Sequence, residues 1–140
     1  MVRFRGLAAM LVLVGLSAGC SDNTGTTTTT PTPVSVTDTF SGALTQNAAA
    51  TFQFTTLQAG TVTATISALT APDASTPPTV GMSLGTWNGN ACLAVISKDD
   101  ATATSSVIGS VSTAGVLCVR IYDVGNITSS VTYTINVNHP

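Results

Sequence analysis

Past residue 33 the chain settles into short runs in which apolar and polar positions alternate, broken at fairly even intervals by turn residues. Val62, Ala64, Ile66 and Ala68 fall on one side of a strand, with Thr61, Thr63, Thr65 and Ser67 on the other. Val131, Tyr133, Ile135 and Val137 are set in the same way against Thr132, Thr134, Asn136 and Asn138. A period of two describes a pleated strand with one packed and one wet face. The pattern predicts eight strands, near 34–41, 50–55, 60–69, 80–84, 91–97, 105–112, 115–123 and 130–138. Between them lie Gln46-Asn47, Gln58-Ala59-Gly60, a proline-rich stretch at 71–78, Asn88-Gly89, Lys98-Asp99-Asp100, Ala114-Gly115 and Gly125-Asn126, all turn material. Residues 116–122 and 91–96 are apolar on both faces, so both read as central strands. Eight strands of this kind imply an all-β, antiparallel two-sheet β-sandwich, jelly-roll-like, over residues 34–140.

Composition strengthens that expectation. Glutamate is absent, only 7% of residues are charged, and threonine and serine carry most of the polarity. Threonine is β-branched and suits a half-wet strand better than a helix.

The first 33 residues follow a different grammar. Met1-Val-Arg-Phe-Arg5 is a short basic opening, and residues 7–16 are apolar but too few to span a bilayer core as a helix. Leu16-Ser17-Ala18-Gly19-Cys20 follows. This resembles the signal peptide and lipobox of bacterial lipoproteins, although Ser17 stands where leucine is commonest. The resemblance implies removal of residues 1–19, a lipidated Cys20 and anchoring in the lipid bilayer by more than one acyl chain, which stable attachment requires. Ser21 rather than aspartate after the cysteine points to the outer membrane. Residues 21–33 (SDNTGTTTTTPTP) contain nothing able to build a core and read as a tether with a mean reach of about 20 Å.

Removing that leader changes the charge. Lys98 and Arg120 then face Asp22, Asp38, Asp73, Asp99, Asp100 and Asp123, a formal charge of −4. No basic patch remains, which excludes nucleic acid as an evident partner. With Cys20 assigned to lipid, Cys92 and Cys118 form an even pair in an oxidising compartment and are expected to make a disulfide, since no C-x-x-C or Cys/His pattern supports a redox couple or metal site.

The ordered set Phe40-Ser-Gly-Ala-Leu44, Ala50-Thr-Phe-Gln-Phe-Thr55, Ala59-Gly-Thr-Val-Thr-Ala-Thr-Ile66, Ala114-Gly-Val-Leu-Cys-Val-Arg-Ile-Tyr122 and Val131-Thr-Tyr-Thr-Ile-Asn-Val137 resembles the bacterial pre-peptidase C-terminal domain family. The resemblance implies a small, non-catalytic, jelly-roll-like sandwich used as an accessory or binding module. Some relatives take calcium. Thr79-Val-Gly-Met-Ser-Leu84 lacks the carboxylates of the corresponding family strand, so calcium does not carry over, and no cofactor is expected.

Chemistry-bearing residues are few. A hydrolase would need His139, the sole histidine, folded back from a frayed end beside a serine or a carboxylate pair. Asp99 and Asp100 are adjacent and point apart, and the remaining aspartates are scattered without a calcium-loop spacing. No catalytic residues are expected. Arg120 is expected to pair with an aspartate or to face water. For ligand binding the candidates are Trp87, Asn88, Asn90 and Tyr122, because an exposed aromatic flanked by amides can take a sugar face or a protein loop. The sequence therefore points to an envelope binding module for a glycan or protein ligand, or else to a structural envelope protein that packs on a partner. The first predicts a concave, aromatic-bearing surface around Trp87; the second predicts a flat apolar patch or an unpaired edge strand.

Overall fold

In the computed structural model the described residues are 34–72 and 78–140. The expected signal peptide, Cys20 and the tether lie outside them, as does Asp73. Eight strands follow one another: β1 (Val36–Leu44), β2 (Ala49–Thr56), β3 (Gly60–Thr70), β4 (Val80–Trp87), β5 (Cys92–Ala101), β6 (Ser106–Val111), β7 (Gly115–Tyr122) and β8 (Val131–His139). They form two four-stranded sheets, ordered β1-β8-β3-β6 and β2-β7-β4-β5, with every pairing antiparallel.

The order has a simple origin. β1 pairs with β8, β2 with β7, β3 with β6 and β4 with β5, so the chain is one long hairpin whose tip is the turn between β4 and β5. Rolling that hairpin adds the β3–β8 and β4–β7 pairings and divides it into two facing sheets, the jelly-roll arrangement.

The inward positions of both sheets make one core. Val62, Ala64, Ile66, Val107, Tyr133, Ile135 and Val137 come from the first sheet, and Phe54, Val80, Met82, Leu84, Val119 and Ile121 from the second. Phe40 stacks on Phe52 at 4.8 Å between ring centroids, and Phe52 meets Tyr133 edge-on at 6.3 Å, so aromatic contacts close one part of the layer.

Four expectations need correction. Ala68 does not face the core: a bulge between Ile66 and Ala68 adds one residue, which reverses the alternation, exposing Ala68 and burying Leu69. Residues 91–96 do not form a central strand. β5 lies at the edge of its sheet, where its apolar residues are left open, with Val95 71% exposed and Leu93 51% exposed. Lys98-Asp99-Asp100 is not a turn but part of the C-terminal end of β5, where a bulge sets Asp99 and Asp100 together opposite Gly81. Lys98 Nζ donates to Asp100 Oδ1 at 2.8 Å. Finally, His139 is not frayed: it pairs with Val36 of β1, lies tilted against the Phe54 ring at 5.1 Å and is only 4% exposed.

Two side-chain devices hold the ends of this roll. Asp123 Oδ1 accepts from the backbone N–H groups of Gly125, Asn126 and Ile127, and Oδ2 accepts from Asn47 N–H, so one carboxylate organises the β7–β8 connection and binds it to the β1–β2 turn. Cys92 and Cys118 are joined by a disulfide, with Cα atoms 5.8 Å apart. Closing this 26-residue separation stabilises the fold by about 3.5 kcal/mol on the chain-entropy account. Reduction should therefore lower the unfolding free energy by about that amount, as read from denaturant titrations with and without a thiol reductant.

The acid limb of stability has a predicted shape as well. The Asn47 N–H, aided by those of Ile127, Gly125 and Asn126, holds the Asp123 carboxyl below its ordinary value, and Lys98 does the same for Asp100. A carboxyl depressed in the folded state contributes fully above its unfolded value near 3.9, and that contribution is lost as pH falls through the lower folded value. Thermal melts should thus weaken below about pH 4, and Asp123→Asn should flatten that decline.

Candidate functional site

The site begins with what strand β4 lacks. Its outward residues are Gly81, Ser83 and Gly85, paired across to Tyr122, Arg120 and Cys118 of β7. A Cβ on Gly81 would overlap the Tyr122 ring, and one on Gly85 would overlap the backbone of Leu93 and Ala94. These two glycines let neighbours lie directly on β4. Over Gly81 the Tyr122 ring reaches across to β5, where its hydroxyl donates to Asp99. Over Gly85 the start of β5 leans across the strand until Cys92 bonds to Cys118. Ser83, between the two crossings, is 1% exposed, and its Oγ has no hydrogen-bond partner.

Leaning β5 over β4 carries the hairpin tip onto the outer face of the second sheet. The tip is a tight Asx turn: Asn88 N–H donates to Ala91 O, while Asn88 Oδ1 accepts from the N–H groups of Asn90 and Ala91 at 2.9 and 2.8 Å. Between the folded tip and strands β2 and β7 lies a cleft of about 380 Å³, lined by Ala49, Thr51, Trp87, Asn90, Ala91, Cys92 and Arg120. This is at the small end of the roughly 300–1,000 Å³ range of ligand pockets. The Arg120 guanidinium lies 5.5 Å from the centroid of the Tyr122 ring, a cation–π contact that steadies it at the cleft.

Trp87 and Asn90 thus share one wall, half-buried and exposed respectively. Asn88 is exposed beside them but outside the lining, with its carbonyl oxygen committed to the turn. Tyr122 also lies outside the lining, beneath the Arg120 guanidinium. Burial, followed by its bond to Asp99, raises its phenol above the ordinary value. Arg120 makes no ion pair with a described carboxylate and takes the water-facing option, stacked on Tyr122. Arg120 and Thr51 join the site without having been singled out for it in the sequence. Alternation does place Arg120 on the same face as Cys118 and Tyr122, but only the β2–β7 register brings Thr51 opposite it.

His139 lies elsewhere, with Nε2 3.2 Å from Asp38 Oδ2 and Nδ1 3.4 Å from the Pro140 carbonyl; neither partner is a serine. Among the described residues no three His, Cys, Asp or Glu side chains gather as a metal-ligand group.

The two glycines make different demands. Tyr122 is a side chain and can swing aside, whereas the Leu93 carbonyl is backbone held by the β4–β5 ladder and the disulfide. Gly85→Ala should therefore destabilise by about 1–3 kcal/mol, and Gly81→Ala by less, in urea denaturation. No family model matches the chain, and no curated protein matches it either.

Proposed function

We propose that this protein is a non-catalytic binding module of a bacterial cell envelope, held at a membrane through a lipidated Cys20, and that its ligand seats against Trp87. The observation that carries the reading is the cleft itself, which brings Trp87 and Asn90 from the hairpin tip against Arg120 of β7. The residues around Cys20 support the anchor: a basic start, a short apolar run and small residues before the cysteine. The ordered strand motifs are similar to those of the pre-peptidase C-terminal domains, whose members serve as accessory modules.

A second reading rests on its own observation. β5 and β6 are the edge strands on one side of the sandwich, and they expose Leu93, Val95, Ile96 and Ile108, the last at 60%. A small apolar hollow of about 170 Å³ lies among Val62, Leu84, Val95, Ile96, Val111 and Leu117. An apolar edge of this kind suits a structural protein that packs on a partner.

Two substitutions separate the readings. A glycan array and an envelope pull-down with the intact chain should lose at least tenfold in captured ligand with Trp87→Ala and little with Val95→Asp. The opposite ranking favours the packing protein. In the same preparations Cys20→Ser should move the chain from the membrane to the soluble fraction; if it stays with membranes, the lipid anchor is wrong.

A further inference from the structure

The charges of the described residues are nearly all paired. Asp38 meets His139, Asp99 accepts from Tyr122, Asp100 pairs with Lys98, and Asp123 is surrounded by backbone N–H groups. Arg120 alone among the described cations has no described carboxylate within 4.0 Å, although the chain has more acids than bases. It is exposed and lines the cleft that holds Trp87.

A guanidinium presents a planar fork of N–H donors that fits a carboxylate through two parallel bonds, and stacking on an aromatic ring leaves the edges of that fork available. Tyr122 provides such a stack, and it is itself fixed by Asp99. Across the cleft, the Trp87 indole offers an apolar plane for the C–H face of a sugar ring. Asn90 beside Trp87 and Thr51 opposite Arg120 on β2 carry an amide and a hydroxyl suited to ring hydroxyls.

We infer that the cleft binds acidic glycans, with Arg120 taking the sugar carboxylate and Trp87 taking the ring face. This rests on the reading of the cleft as a ligand site and adds the class of ligand. The walls favour a sugar over a peptide carboxylate: Ala49, Thr51, Asn90 and Ala91 are small and provide no second large apolar pocket for a peptide side chain.

The test measures binding of the intact chain by calorimetry to two matched pairs: trigalacturonate against its methyl ester, and sialyllactose against its methyl ester. Each pair retains the sugar scaffold while removing the carboxylate charge. At least one acidic probe should bind about tenfold more tightly than its neutral partner, and rising salt should erode the difference. Arg120→Gln should abolish the preference, Arg120→Lys should restore only part of it, and Trp87→Ala should weaken acid and neutral probes alike. Circular dichroism and the retained disulfide report whether each variant is folded.

Equal binding of acid and neutral probes overturns the inference while leaving the cleft as a sugar site. A preference that survives Arg120→Gln overturns it as well. Binding of neither pair overturns the inference together with the glycan form of the proposed function. Displacement of a bound acidic sugar by a short peptide at equal concentration overturns the assignment to glycans.

Discussion

Strand β4 carries no bulky side chain on its outer face between Val80 and Trp87, and two links cross it there. One is covalent, Cys92 to Cys118 over Gly85; the other is the hydrogen bond from Tyr122 to Asp99 over Gly81. β5 is an edge strand, attached through its ladder to β4 alone. The crossings fasten it to β7 as well, one strand further in. Because β5 leans, the hairpin tip folds over the sheet rather than extending from it, and the Trp87 cleft exists between them. A side chain at Gly85 would push β5 outward and open the cleft, whereas one at Gly81 would displace the Tyr122 ring and its link to Asp99. The site thus depends on absent side chains as much as on present ones.

The other margin of β5 is apolar. Ile96 reaches over to Gly109 of β6, and beside that contact Val95 and Ile108 are exposed around a small apolar hollow. Natural edges are guarded by charge, bulges and proline. β5 has a register shift in each half, one at Val95 and one at Asp99–Asp100, but its charges, Lys98, Asp99 and Asp100, all lie in the C-terminal half, while the other half carries Leu93 and Val95.

Charge is used sparingly and locally. Asp123 is a backbone organiser, Asp99 a brace for Tyr122, and Asp38 a partner for the buried His139. Each links segments distant in sequence, as between Asn47 and Asp123 or Asp38 and His139. Arg120 is the exception, and that sets it apart from the framework.

The sequence by itself determined the fold class and all eight strands, because a period of two and β-branched residues depend only on local geometry. It also marked Trp87 and Asn90 as neighbours, since both belong to one turn, and it paired Cys92 with Cys118 by count. What only the tertiary structure decided was anything dependent on register or strand order. The bulge after Ile66 reversed Ala68 and Leu69, the edge position of β5 exposed an apolar run that alternation alone read as central, and pairing with β1 against the Phe54 ring buried His139. Arg120 entered the site for the same reason. Its face could be read from alternation, but Thr51, Tyr122 and Trp87 reach it through strands drawn from separate parts of the chain, and the long-range pairings that bring them together leave no local trace in sequence.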